Sequence, residues 1–209
     1  MKYYQTPDYI RIKKMLRFIN KNSEGKLLEL GLTKGSVADT LSKEGTNLNL
    51  YGIDIYDRAI PEVNFIKHDL NEGIPFGDNN FDYVVAGELL EHVFDDEMLL
   101  NEIRRVLKKS GKLVLSVPNV HFLYDRVMGL LGKMPVFAYR SYHYHFYNKE
   151  TITWLIWKSG FKIDSVVSSH ILFSSRRHSL GKIFELLGDY FPGLGGHIII
   201  SCKPEEAKN

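Results

Sequence analysis

The residues able to do chemistry in this chain gather at three places. The first is the turn Gly31-Leu32-Thr33-Lys34-Gly35-Ser36, which follows the apolar run Lys26-Leu27-Leu28-Glu29-Leu30. Glycines there allow a tight bend and close backbone approach to a ligand. Roughly twenty residues on, a second apolar run ends in Tyr51-Gly52-Ile53-Asp54, and a carboxylate at such a strand end can accept both hydroxyls of a ribose. A third run ends in His68-Asp69-Leu70, setting a second carboxylate beside the first. This ordered set predicts a nucleoside site. A dinucleotide fingerprint, G-x-G-x-x-G, fails at Thr33 and Ser36, and no G-x-x-x-x-G-K-[ST] loop occurs. The ligand expected is therefore an adenosine without a pyrophosphate.

The second place is Glu88-Leu89-Leu90-Glu91-His92. Helical spacing would stack Glu88 over Glu91 and His92, at i+3 and i+4. Two carboxylates and an imidazole could hold a divalent ion, although imidazole is softer than Mg²⁺ prefers. The expectation is a structural turn without metal, with Glu88, Glu91 and His92 as the alternative ligand set. The third place is residues 119–148, with eight aromatics and the histidines His121, His143 and His145. It reads as an aromatic lid. Its first half would be a helix packing Leu123, Val127, Leu130 and Leu131 into a small core, and its second half, Tyr142 to His145, a pocket wall. His143 and His145 are the expected proton acceptors, since an imidazole of pKa ~6.5 takes a proton near neutrality. Residues 171–192, with Arg176, Arg177 and His178, form a second candidate rim.

These residues must be positioned by strands alternating with helices, which predicts a doubly wound, mostly parallel sheet covered on both faces. Strands are expected at 26–30, 48–54, 64–68, 81–86, 112–118, 161–167 and 196–202, and an amphipathic helix at 6–20. The 209 residues, 44% hydrophobic, suit one domain spanning 1–209. A net charge of +2 gives no general pull toward nucleic acid or an anionic membrane. One cysteine, Cys202, excludes an internal disulfide framework and fits a cytoplasmic chain. No apolar run reaches the ~18 residues of a membrane span.

Taken in order, the motifs resemble the class I S-adenosylmethionine-dependent methyltransferases, in the broad group that includes O-methyltransferases of the ubiquinone pathway. The carrying segments are Leu28-Glu29-Leu30-Gly31-x-x-x-Gly35, Gly52-Ile53-Asp54, His68-Asp69-Leu70, residues 76–82, Glu91-His92-Val93, residues 107–113 and Ser116-Val117-Pro118-Asn119. The resemblance implies a seven-stranded sheet with the last strand antiparallel, and S-adenosylmethionine as cofactor. It also implies that Glu29, Gly31 and Gly35 hold the methionine part, Asp54 the ribose, Asp69 and the Leu70 amide the adenine, and Ala86-Gly87 the amino group. One departure is Leu32-Thr33, where the family usually has a small Cys-Gly pair. The activity expected is methyl transfer to a small acceptor with an apolar or ring-shaped part, at oxygen. The alternatives are a catalytically silent scaffold that binds the cofactor and, against the charge balance, an RNA-modifying enzyme.

Overall fold

The computed structural model describes residues 6–134, 143–171 and 179–205. Seven strands form one sheet: β1 (Gly25–Leu30), β2 (Leu48–Asp54), β3 (Val63–Lys67), β4 (Phe81–Gly87), β5 (Leu107–Pro118), β6 (Phe161–Ser168) and β7 (His197–Pro204). Their order is β3-β2-β1-β4-β5-β7-β6, with β7 antiparallel to both neighbours, as the sequence predicts. The order reverses between β1 and β4, so the crevice of a doubly wound sheet opens beyond their carboxyl ends. Because β7 runs backwards, its first residue, His197, stands at that same edge.

The near-continuous apolar runs follow from burial on both faces. In β1, Leu28 and Leu30 join a layer with Leu99 and Ile103 of α3 (Asp96–Val106) and Ile152 and Ile156 of α5 (Lys149–Lys158). Leu27 points the other way, toward Met15 of α1 (Thr6–Leu16) and Leu41 of α2 (Val37–Glu44). The helix expected over 6–20 stops at Leu16, because the next amides turn back to carbonyls three residues earlier: Arg17 N to Lys14 O at 3.2 Å and Ile19 N to Leu16 O at 3.2 Å. Strand β5 starts at Leu107, not Lys112, since the pairing Phe81 with Leu107 resumes at Tyr83 with Lys112 across an irregularity.

Two further helices are α4 (Leu123–Leu130) and α6 (Ser179–Tyr190). The small core expected around α4 is not there: Val127, Leu130 and Leu131 are exposed, and the inner face buries Phe122 and Asp125 instead. An eight-residue helix has one inward stripe, and those two residues take it. Of the expected lid and rim, Phe137, Tyr139, Tyr142, Arg176, Arg177 and His178 lie outside the described residues. Helix α1 is pinned to α6 by Lys14, 1% exposed. Its ammonium donates to Ser168 O at 2.7 Å, Glu185 O at 2.5 Å and Asp189 Oδ1 at 2.8 Å.

The departure at Leu32 has a packing answer. Leu32 is fully buried, and a Cβ on Gly52 would lie 2.6 Å from its Cδ2. The large residue of the β1 turn is thus matched by a missing one on β2, and the turn's outer side stays clear of it. Gly52→Ala should destabilise the fold by about 1–3 kcal/mol through overpacking, and Leu32→Ala in the same chain should relieve that clash, so that the double variant loses less than the sum of the two single variants. Denaturant unfolding of the two single variants and the double variant measures the coupling.

Candidate active site

The cofactor side is built on Glu29. Its side chain lies within β1, almost fully buried. Oε2 accepts from Ser36 Oγ at 2.6 Å and Ala38 N at 2.7 Å, and Oε1 from Val37 N at 3.0 Å. Burial pushes its pKa up, and these three donors oppose the shift. Glu29 therefore caps α2 from a neighbouring strand, as Ser36 itself makes no cap bond. Both oxygens accept from the protein's own donors, so Glu29 ties β1 to the turn and to the start of α2. Gly31 and Gly35 adopt left-handed backbone, φ 76° and 83°, which favours glycine at both. A Cβ at Gly35 would meet nothing within 4 Å, so the turn is open on that side.

Asp54 ends β2 with its side chain 11% exposed. Oδ1 accepts from Tyr56 N at 2.8 Å and lies 3.8 Å from Arg58 Nε. Arg58 Nη1 also donates to Thr33 Oγ1 at 2.8 Å, so the unusual threonine ties the β1 turn to the β2 loop. Asp69 Oδ1 accepts from Asn71 N and Nδ2, both at 2.9 Å, starting a short 3₁₀ turn in which the Leu70 side chain is buried. Gly31, Gly35, Asp54, Asp69 and Leu70 are thus placed together at the carboxyl ends of three adjacent strands.

Across the switch point lie Ala86 and Gly87. A Cβ on Gly87 would come within 2.7 Å of Arg11 Nη1, so the α1 guanidinium occupies the space that the glycine leaves. Arg11 also donates to Ser116 Oγ of β5 at 3.1 Å. The pattern Glu88 to His92 does not form the expected helical face. Glu88 has a left-handed backbone, φ 54°, and its carboxylate turns to Ser116 Oγ, 3.2 Å, and His197 Nε2, 3.6 Å. The place that spacing assigned to Glu88 goes to His143: Glu91, His92 and His143 offer ligand atoms all within 4.8 Å of one another. The His92 and His143 rings stand edge to face, 4.7 Å apart. Glu91 is 1% exposed, and neither carboxylate oxygen has a hydrogen-bond partner. Burial first, then the charge of Glu88, push its pKa well up. With one carboxylate and two imidazoles, the trio could hold a borderline transition ion more readily than Mg²⁺.

His145 does not join this group. Its Nδ1 lies 3.6 Å from Asp96 Oδ2 and its Nε2 3.3 Å from Phe94 O, with the ring stacked on Tyr147. Both ring nitrogens thus face the protein's own oxygens. Among the expected lid aromatics, Phe122 and Tyr147 are buried, and the Tyr147 hydroxyl donates to Asp96 Oδ2 at 2.6 Å. Tyr144 lies over Phe94, with ring centroids 4.5 Å apart, and the Tyr144 amide donates to Glu91 O at 2.7 Å. Sequence reasoning missed Arg11, Ser169, His170 and His197. The available signal was a histidine opening the strand expected to run antiparallel.

A methyltransferase-domain family model matches residues 4–166, and the chain belongs to that family. It is similar to a demethylmenaquinone methyltransferase of Thermotoga maritima, 29% identical over 110 residues covering 49% of this chain and 48% of the relative. It is also similar to a ubiquinone/menaquinone biosynthesis C-methyltransferase of Desulfotalea psychrophila, 27% identical over 163 residues covering 66% and 65%. The chain spans about half the length of the first curated relatives it matches. Among solved structures, an S-adenosylmethionine dependent methyltransferase from Mesorhizobium loti superposes with a TM-score of 0.65 at 13% identity, covering 93% of this chain and 97% of that one. Fold and family together make S-adenosylmethionine the cofactor of this site. No helix among the described residues is long and apolar enough to cross a membrane.

The raised pKa of Glu91 has a measurable sign. The folded chain binds a proton there that the unfolded chain releases above its ordinary value of 4.5, so stability falls as pH rises beyond that point. In buffer containing a chelator, Glu91→Gln should raise the thermal midpoint at pH 8 relative to the parent and leave it nearly unchanged at pH 4.5. Equal differences at both pH values would show that Glu91 ionises normally.

Proposed function

We propose that this chain transfers a methyl group from S-adenosylmethionine to a ring hydroxyl of a small acceptor. One observation carries the reading. The ends of β1 to β3 present an open glycine turn and carboxylates, while the ends of β4, β5 and β7 present groups able to move a proton. The donor set fits the cofactor. Asp54 would hold the ribose hydroxyls, and Asp69 with the Leu70 amide would lie at the adenine. The turn from Gly31 to Gly35 and the backbone at Ala86 and Gly87 would hold the amino-acid part. Arg11, fixed over Gly87, would face its carboxylate. When bound, the cofactor supplies a methyl group already activated on a sulfonium.

What remains for the protein is to orient the acceptor, exclude water and remove a proton. Tyr144 and Phe94 offer an apolar surface beside Glu91, suited to a flat ring. The relatives' printed names support a quinone-like ring as the acceptor class. Methylation at oxygen is our reading. Transfer to a ring carbon is the competing outcome, and both begin with loss of a ring-hydroxyl proton.

Two measurements test this. S-adenosylhomocysteine should bind and raise the thermal midpoint by mass action. Asp54→Ala should weaken that binding by about 1.5–3 kcal/mol, the worth of a hydrogen bond to a charged acceptor. Labelled methyl donor supplied with catechols and reduced naphthoquinones should give O-methyl products by NMR. A C-methyl product would move the reaction to carbon, and cofactor binding without any transfer would leave the silent scaffold.

A further inference from the structure

Four polar side chains beyond the cofactor cleft form one line through the protein. Ser169 and His170 follow β6, His197 opens β7, and Glu88 follows β4. Ser169 Oγ lies 3.0 Å from Nδ1 of His170 and 3.0 Å from Nδ1 of His197. His197 Nε2 faces Glu88 Oε2 at 3.6 Å. The other Glu88 oxygen accepts from Ser116 Oγ at 3.2 Å, and that hydroxyl accepts from Arg11 Nη1 at 3.1 Å. Ser169, His170 and His197 are buried, whereas the Glu88 side chain keeps 22% of its surface exposed. The line therefore runs from the interior to the cleft and ends on an accessible carboxylate.

The order of protons along it follows from one hydroxyl. Ser169 has a single proton to donate, so at least one Nδ1 must donate to Oγ. If His197 donates, a neutral His197 turns the lone pair of Nε2 toward the Glu88 carboxylate, and two acceptors face each other. If His170 donates, Ser169 donates onward to His197 Nδ1, and His197 Nε2–H points at Glu88. With both imidazoles neutral, only the second order is free of that repulsion. In it His170 donates from Nδ1, and burial, then the neighbouring His197 and Lys14, bring that ring down to about 4, so it does so as a neutral imidazole at pH 7. The left-handed backbone of Glu88, φ 54°, is strained for a non-glycine residue. Its amide, bonded to Ser116 O at 2.9 Å, helps hold that conformation, which turns the side chain to His197. Among the described residues, the charged and titratable groups around Glu88 include Arg11 from α1, Glu91 from the following turn and His197 from β7.

We propose that Glu88 takes the proton from the acceptor hydroxyl, and that His197, with its donor nitrogen selected by Ser169 and His170, holds Glu88 as a carboxylate aimed into the cleft. The proposal rests on the ring-hydroxyl reading above. The acceptor O–H bond breaks, its electron pair stays on the acceptor oxygen, and the proton passes to a Glu88 oxygen and from there to water. No redox partner is needed. Glu88 is then a catalytic residue, and Ser169, His170 and His197 are positioning residues.

Two arms test it on the full chain. Nitrogen NMR of histidine-labelled protein at pH 7 should find the His197 proton on Nε2 and the His170 proton on Nδ1, and Ser169→Ala should abolish this order. A His197 proton found on Nδ1 instead overturns the proposal. In labelled-methyl transfer to catechol, Glu88→Gln should lower kcat by roughly 10²–10⁴-fold, the range for loss of a general base, with S-adenosylhomocysteine affinity and thermal midpoint retained. His197→Gln, whose amide N–H can replace Nε2–H, should keep most of the rate. His197→Leu should lose it and move the acidic limb of the kcat profile to higher pH. A Glu88→Gln chain with parental kcat overturns this proposal alone. A parent chain that binds the cofactor product but methylates no ring hydroxyl overturns the functional reading, and the base assignment falls with it.

Discussion

A carboxylate inside the central sheet is the constraint on which the rest of the site depends. Glu29 sits in β1 where a leucine would serve the core, and burial raises its pKa. A buried carboxylate without partners would cost several kcal/mol. The donors that satisfy it are the hydroxyl of Ser36, just before α2, and the amides of Val37 and Ala38, which have no helical carbonyl to reach. Strand and helix are thereby joined at one point. The six residues between them must cross a short gap, and two left-handed glycines help them do so. The open cradle of the cofactor side is the consequence of a satisfied charge lying beneath it.

The site divides at the switch point. On the β1 to β3 side are oxygens that accept hydrogen bonds, carried on short turns of their own. On the β4, β5 and β7 side are imidazoles, carboxylates and hydroxyls linked to one another. Helix α1 spans both. Arg11 reaches Gly87 and Ser116, and one helical turn further on, Lys14 is locked to Asp189 and two carbonyls. Losing its hydration lowers the pKa of Lys14, and the bond and charge of Asp189 oppose this. The stem of α1 is thus held by α6 while its guanidinium faces the cleft, so the two rims are mechanically one piece.

The Leu32-Thr33 departure also becomes intelligible at this level. A bulky side chain in a ligand-binding turn suggests obstruction only if it points at the ligand. Leu32 points down, into the layer beneath α1 and α2, where Gly52 makes room for it. Thr33 faces the other way and anchors Arg58, which lies near Asp54. The family's small pair is replaced by a packed residue and a tethered one.

The sequence by itself determined the elements and their order. Apolar runs alternating with helical periods depend on local contacts and on burial of both sheet faces, and glycines and acidic residues at strand ends mark the turns between them. That logic reached Gly31, Gly35, Asp54, Asp69 and Leu70 as one group because each lies next to the strand that positions it. It reached less far for Glu29, whose hydrogen bonds come from the start of a helix that the strand's own pattern does not reveal. Helical spacing failed at Glu88, where a single left-handed backbone angle sends the carboxylate to β7, and His143 stands beside Glu91 in its place. His170 and His197 are separated by 27 positions, and Arg11 and Ser116 by 105. Only the antiparallel return of β7 and the docking of α1 across the sheet bring these groups together. Their contacts are set by topology, and no local pattern of residue types encodes a distance between elements that meet only after the chain has folded.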